Sequence, residues 1–378
     1  MNGQAQALVV LAAGGTGGHV FPAQALAAEL VERGYRLALI TDQRGDALGG
    51  SLSAVATYRI RATGVAGKRL AALLFSGPNL AVGTVQARQL LKRLKPAVVV
   101  GFGGYASVPT MLAATFSGLR TAIHEQNALL GRANRLLAPK VDRVATSFLV
   151  SAGLPADARD KVTHTGMPVR PAIAAMRERA YPDLDGAGPI ELLVLGGSQG
   201  AQVFSQVIPE AVGLLADDLR RRLRVTQQCR PEDLEDARRR YRALGMEADL
   251  AAFFDDVPER LARAHLLISR AGASTVAEIT AVGRPAILVP YPFAVDDHQT
   301  ANAHAMDEVG AGWLMPHEAF TPETLAARIN ALFDLPATLE KTAASARAAG
   351  RAEAAACLAD MVAALVPNGA SEAPRRAA

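Results

Sequence analysis

Not one aspartate or glutamate occurs between Ala47 and His124. Cysteine is almost missing as well: Cys229 and Cys357 are the two in 378 residues. Two cysteines without CxxC or Cys/His spacing exclude a disulfide scaffold, give no zinc signature and fit a reducing compartment. Aromatic residues make up 5% of the chain, which leaves few platforms on which bases could stack. The net charge is +4, too weak a field to recruit nucleic acid. Met1–Gln6 lacks the basic start of a secretory signal. Two stretches, Val9–Ala28 and Pro96–Leu119, carry no Asp, Glu, Lys or Arg and are long enough to cross a bilayer. Gly14, Gly15, Gly17, Gly18 and Pro22 interrupt the first, and Gly101, Gly103, Gly104 and Pro109 the second. Such breaks leave backbone groups that hydrocarbon cannot satisfy, so both stretches parse better as a buried strand, a glycine turn and a helix.

That parse recurs. Leu8–Ala12 runs into GGTGGH, Val98–Val100 into GFGGY, Leu192–Leu195 into GGSQGA and Leu266–Ser269 into RAGAST. Short apolar strands alternating with helices build parallel sheets covered on both faces, so the fold class is α/β. Two strong strand–glycine–helix openings, far apart in the chain, predict two doubly wound Rossmann-like domains with a boundary near Thr163–Pro171. Thr321-Pro322-Glu323 reads as N-cap, first-turn proline and first-turn acid of a helix running through Phe333. Leu339–Leu365 reads as one or two closing helices, and Asn368–Ala378 as a loose tail.

The modest net charge hides an asymmetry. Residues 1–165 hold 18 basic and 8 acidic residues, and residues 166–378 hold 22 and 28. Inside the acid-free stretch, Lys68 and Arg69 precede the apolar Leu70–Phe75. Such a run is either a solvated face beside ordinary core or a cation-rimmed apolar patch that meets anionic lipid.

Five constellations fall at strand ends, where open α/β sheets bind ligands. In GGTGGH the glycines let backbone approach a ligand, and the following helix start offers N–H groups to an oxyanion. The loop is not GxGxxG, and Leu37–Asp42 matches the acidic end of a dinucleotide site only weakly, which disfavours a nicotinamide cofactor. His19 closes the loop and is either a general base or a core or capping histidine. His124-Glu125-Gln126-Asn127, placed after a strand Arg120–Ile123, offers hydrogen bonds to a sugar or simply builds a turn. In the second half, Gly196–Ala201 can wrap a phosphate or nucleoside, and the helix opened by Arg270–Thr275 can hold a diphosphate. Glu278, one turn beyond Ser274, suits the paired hydroxyls of a ribose. Asp296-Asp297-His298-Gln299, after a strand Ala286–Pro290, fits either a metal or hydroxyl recognition.

Together the motifs resemble one family, the UDP-N-acetylglucosamine–N-acetylmuramyl-(pentapeptide) pyrophosphoryl-undecaprenol N-acetylglucosamine transferases, or MurG family. The resemblance rests on GGTGGHVFPA at 14–23, GFGGYASVP at 101–109, HEQNALLGRANRLLA at 124–138, GMPVR at 166–170, GGSQGA at 196–201, RAGASTVAE at 270–278 and DDHQTANA at 296–303. It implies a GT-B fold, two Rossmann-like domains facing across a cleft. Residues 1–165 would form the acceptor- and membrane-facing domain, 166–338 the UDP-GlcNAc-binding domain, and 339–367 helices crossing back to the first. The implied reaction is inverting transfer of GlcNAc from UDP-GlcNAc to the muramyl 4-hydroxyl of lipid I, giving lipid II for peptidoglycan.

Carried onto this sequence, the resemblance makes His19 the base, with Glu125 as helper or rival. It assigns donor contacts to Thr16, Gly17, Gly18, Asn127, Arg170, Ser198, Gln199, Phe254, Ala273, Ser274, Thr275, Glu278 and Gln299. Lys68, Arg69, Leu70, Leu73, Leu74 and Phe75 would meet the membrane. No cofactor and no tightly bound metal are implied, UDP-GlcNAc being a substrate. The implied partners are UDP-GlcNAc, lipid I, anionic inner-membrane lipids and other cell-wall synthesis or division proteins, with no nucleic acid. The implied place is the cytoplasmic face of the bacterial inner membrane, as a peripheral protein. Met167, Ser205 and Thr300 depart from the family's expected residues. Two other readings stay open: a GT-B enzyme of different use, such as a UDP-sugar epimerase, and a non-catalytic UDP-sugar sensor.

Overall fold

The computed structural model describes residues 7–14, 17–42, 52, 55–62, 70–149, 151–184, 188–197 and 200–367, with backbone alone at 17, 70–78 and 105–106. Thr16, Lys68, Arg69, Ser198 and Gln199 therefore lie outside the described residues. Leu70, Leu73, Leu74 and Phe75 are seen only as the first turns of the helix Leu70–Leu94.

The chain divides into two compact units: residues up to Arg170 together with those from Glu353, and Pro171–Ala352. The first unit holds β1 (Leu8–Ala12), β2 (Arg36–Thr41), β3 (Ala56–Arg59), β4 (Val98–Gly101), β5 (Arg120–Glu125), β6 (Arg143–Thr146) and β7 (Val162–His164). They form a parallel sheet in the order β3-β2-β1-β4-β5-β6-β7. Strand β1 shows why its sequence is apolar throughout. Val9 and Leu11 pack on one face with Leu26 and Leu30 of the helix Gly17–Glu32 and with Leu358 and Val362 of the helix Ala354–Ala363. Val10 and Ala12 pack on the other face with Leu91 and Met111. A strand covered on both sides has no polar position to spare, and each fully buried Leu or Val is worth about 1.5–3 kcal/mol.

The second unit holds β8 (Ile190–Leu195), β9 (Leu223–Gln228), β10 (Asp249–Ala251), β11 (Leu266–Ser269), β12 (Ala286–Leu288) and β13 (Trp313–Leu314). They are parallel in the order β10-β9-β8-β11-β12-β13. In both sheets the winding reverses beside the first strand, at β1/β4 and at β8/β11, and all four glycine-bearing strand ends meet at those two reversal points. This is where a doubly wound sheet opens a crevice for ligands.

The closing segment splits between the units. The helix Pro336–Ala349 belongs to the second unit, and only Ala354–Ala363 belongs to the first, so 339–367 does not cross as a block. The crossing helix is fastened by Arg33, which donates to Asp360 Oδ1 at 2.5 Å and to the Ala356 carbonyl at 3.3 Å. Thr321 caps the helix Pro322–Asp334 with Thr324 completing a capping box. Among the described residues no helix is long and apolar enough to cross a membrane.

Candidate active site

In the first unit, His19 stands in the opening turn of the helix Gly17–Glu32, directly after β1. Gly103 and Gly104, after β4, form the wall beside its ring. Their φ values are 81° and 69°, and a Cβ on Gly104 would sit 3.2 Å from His19 Cδ2. Only glycine combines that backbone with that closeness. His19 Nδ1 is 3.2 Å from Gln126 Oε1. Gln126 Nε2 lies 2.9 Å from the Phe102 carbonyl, 3.0 Å from the His124 carbonyl and 3.1 Å from His124 Nδ1. His124 Nε2 in turn lies 3.2 Å from the Gly166 carbonyl. Burial pushes the His124 pKa down to about 4, with a smaller push from His19, so this imidazole is neutral near pH 7.

Strand β5 extends to Glu125, so His124 and Glu125 are buried strand residues rather than part of a turn after the strand. Glu125 Oε1 accepts from the Asn127 backbone N–H at 3.0 Å and Oε2 from Gly131 N–H at 2.9 Å and Asn134 Nδ2 at 2.8 Å. Both carboxylate oxygens thus accept from donors of the loop that follows β5 and of the helix Arg132–Leu137 beyond it. Glu125 thereby holds the loop that presents Asn127.

In the second unit, the loop after β8 is drawn tight: a Cβ on Gly196 would meet Ala201 N at 2.6 Å, and Gly200 N–H donates to the Gly197 carbonyl at 2.9 Å. At Gly197 (φ 84°) a Cβ would meet nothing within 4 Å among the described residues. After β11, Gly272 caps the helix Ala273–Val282, with half-buried Ala273, Ser274 and Thr275 in its first turn and Glu278 one turn on. Three guanidiniums clamp the other end: Arg177 donates to the Ala281 carbonyl, Arg284 to those of Val282 and Gly283, and Arg347 to that of Val282. Cations at a helix C-terminus complement its dipole and satisfy its last carbonyls. Arg284 is fully buried, and burial followed by Arg347 lowers its pKa to about 10.

Asn302, buried, donates to the Ala271 carbonyl at 2.9 Å and ties the helix His298–Glu308 to the loop before the helix Ala273–Val282. Gln299 accepts from Tyr291 N–H at 2.9 Å. Asp296 and Asp297 hold left-handed backbone (φ 53° and 54°), and His298 Nδ1 donates to the Val295 carbonyl at 2.7 Å. Among the described residues no group of three or more His, Cys, Asp or Glu could hold a metal ion. Phe254 is buried beneath the Arg260 guanidinium, 4.1 Å above its ring. Arg170 is exposed and is the last residue of the first unit before Pro171. Of the departures, Met167 and Ser205 are buried, and Thr300 donates to Asp297 at 2.7 Å.

Gln126, Asn134 and Asn302 carry these networks from within the motifs at 124–138 and 296–303, which mark them as site residues without showing what they hold together. The signal for that role in sequence is weak: amides among apolar positions, which must find partners if buried.

The two sheets and their glycine-ended strands define a GT-B fold, and the family matches make it a glycosyltransferase's. Residues 9–146 match the glycosyltransferase family 28 N-terminal domain and residues 191–358 the family 28 C-terminal domain. The chain belongs to the family of UDP-N-acetylglucosamine–N-acetylmuramyl-(pentapeptide) pyrophosphoryl-undecaprenol N-acetylglucosamine transferases. It is 60% identical to the transferase of that name from Paramagnetospirillum magneticum, over 96% of this chain and 97% of that one. Among solved structures it is similar to MurG of Acinetobacter baumannii, at 29% identity and a TM-score of 0.79, covering 94% of this chain and 99% of the other. UDP-GlcNAc 2-epimerase from Neisseria meningitidis, bound to UDP-GlcNAc, shares the fold alone, at 15% identity and a TM-score of 0.63 over 94% and 99% of the two chains.

Proposed function

We propose that the chain moves N-acetylglucosamine from UDP-GlcNAc onto the 4-hydroxyl of the muramyl sugar of undecaprenyl-pyrophosphoryl-N-acetylmuramyl-pentapeptide, lipid I. The product is lipid II for cell-wall peptidoglycan. The observation that carries this reading is the 60% identity to a transferase of that name along nearly the whole chain.

His19 is the base: it sits at the reversal point of the first sheet with its ring held against Gly103 and Gly104. Inversion requires one displacement at the anomeric carbon, so one base suffices. As the bond to the sugar forms, the bond to the UDP oxygen breaks, and charge builds on the diphosphate. The helix start at Ala273, Ser274 and Thr275 meets that charge with N–H groups, as an oxyanion site does. Glu278 takes the ribose hydroxyls, Gln299 the sugar hydroxyls and the Phe254 backbone the uracil. Gly17, Gly18, Asn127, Arg170, Ser198, Gln199 and Thr16 complete the donor contacts. UDP-GlcNAc enters as substrate, and these residue roles call on no cofactor or tightly bound metal.

The acceptor is lipid-linked, so the enzyme works peripherally at the cytoplasmic face of the inner membrane. It docks on anionic lipid through Lys68, Arg69 and the apolar Leu70, Leu73, Leu74 and Phe75. Other cell-wall synthesis or division proteins are its partners there. Incubation with UDP-GlcNAc and a lipid I analogue tests the reading: the product gains one N-acetylhexosamine in mass. Conversion of UDP-GlcNAc to its 2-epimer with no acceptor consumed would replace it with the epimerase reading.

A further inference from the structure

We propose that Gln126 is a positioning residue that holds the His19 imidazole as its Nδ1–H tautomer, so that Nε2 is the atom that takes the acceptor's proton. The proposal rests on the reading of His19 as the base and adds which nitrogen acts and what selects it.

Elimination along a buried chain of hydrogen bonds leads to this assignment. The Phe102 and His124 carbonyls, 2.9 and 3.0 Å from one end of the Gln126 amide, can only accept. That end must therefore be the NH2, which fixes the other end as the carbonyl oxygen. The oxygen lies 3.2 Å from His19 Nδ1 and can itself only accept, so Nδ1 must carry the hydrogen. In the neutral ring the lone pair then falls on Nε2, the nitrogen beside Gly104.

His124 secures the same assignment from behind. Its Nε2 faces the Gly166 carbonyl at 3.2 Å and must donate, and its Nδ1 faces the Gln126 NH2 at 3.1 Å and must accept. A second proton on His124 would set N–H against N–H there, so the arrangement is consistent only while that ring is neutral. Gln126 is 2% exposed and His124 wholly buried, so water does not compete for these bonds. Taking a proton at His19 Nε2 breaks none of them. The site is thus prepared for the charged state of the base without rearrangement, and an amide orients the ring without adding negative charge.

Long-range proton–nitrogen NMR correlations on the full chain labelled with 15N-histidine test the idea, with His19→Ala and His124→Gln identifying the signals. The expected pattern is a protonated Nδ1 and bare Nε2 at His19, and the reverse at His124. A wild-type His19 in the Nε2–H form overturns the proposal whatever the variants do. Gln126→Leu should lower kcat by about 10–10²-fold, part of what a general base supplies. KM for UDP-GlcNAc should stay unchanged, and the His19 signals should move toward a tautomer mixture. If kcat falls while the tautomer stays as in wild type, Gln126 is merely structural and the proposal is overturned. Should His19→Ala retain full turnover, the base reading fails, and the positioning role fails with it even where the wild-type tautomer is as expected.

Discussion

Asn134 donates its Nδ2 to Glu125 Oε2 across 2.8 Å, in a corner where the two residues are 2% and 1% exposed. The same carboxylate gathers Asn127 N–H and Gly131 N–H, so one buried anion folds the loop between β5 and the helix Arg132–Leu137. Asn134→Ala should destabilise the protein by about 1–3 kcal/mol, since it removes a donor from a buried acceptor. Glu125→Gln should do the same, because its NH2 must then face donors that the carboxylate now satisfies. Urea unfolding of the full chain measures both, and unaltered midpoints would contradict the holding role.

Glu278 stands one turn along the helix whose first turn is assigned to the diphosphate. If its carboxylate accepts both ribose hydroxyls, Glu278→Ala removes two charge-assisted hydrogen bonds, each worth about 1.5–3 kcal/mol. UDP and UDP-GlcNAc should both bind about 10²-fold more weakly or worse, while turnover at saturating donor changes far less. Calorimetric titration with UDP alone isolates the effect, and an unchanged affinity would remove Glu278 from the ribose.

The parts of this molecule that are readable in advance are those set by local chemistry. β1 and β8 announce themselves as apolar runs ending in glycine because Val9–Ala12 and Leu192–Val194 are buried, and the turn after β8 needs positive φ at Gly197. Thr321 and Pro322 mark a helix start within four residues, since a cap satisfies its own helix. What escapes the sequence depends on distant partners. His124 and Glu125 look like turn residues because buried polar groups are uncommon. They are strand residues because Gly166, Gly131 and Asn134 satisfy them. Gln126 stands in the His124–Asn127 motif, but its structural role has no local signature, as its amide is oriented by the Phe102 carbonyl, 24 positions away. The two alanine-rich closing helices are alike in pattern, and it is contacts with distant residues that distinguish the one that returns: Leu358 and Val362 with the first sheet's core, and Ala356 and Asp360 with Arg33.

Docking through Lys68 and Arg69 makes a prediction about salt. A basic residue near an anionic surface is worth about 1 kcal/mol and is screened within a Debye length. Neutralising both with K68Q and R69Q should weaken binding to phosphatidylglycerol vesicles by about 30-fold, and raising the salt to about 0.5 M should weaken wild-type binding comparably. Vesicle sedimentation reads both effects. Binding that ignores salt and charge alike would shift the docking surface away from this segment.

The buried His124 predicts how stability varies with acid. Its folded-state pKa of about 4 lies below the ordinary 6.5, chiefly because burial penalises the charged ring. Between those values the unfolded chain binds a proton that the folded chain refuses, so stability rises with pH across this window. The contribution is complete above pH 6.5 and is lost as the pH falls toward 4. The full loss is about 3 kcal/mol, since each pH unit separating the two values is worth roughly 1.36 kcal/mol. His265 is also lowered, first by burial, and acts in the same direction, so the comparison must be made against a variant in which it is kept. His124→Gln keeps His265 and offers an amide N–H toward Gly166, and it should be somewhat less stable at about pH 7. Its unfolding free energy should fall less steeply than that of wild type between about pH 6.5 and 4.5. Parallel curves from urea unfolding would mean that His124 accepts its proton without loss of the fold, and the neutral chain from Gly166 to His19 would then have to be abandoned.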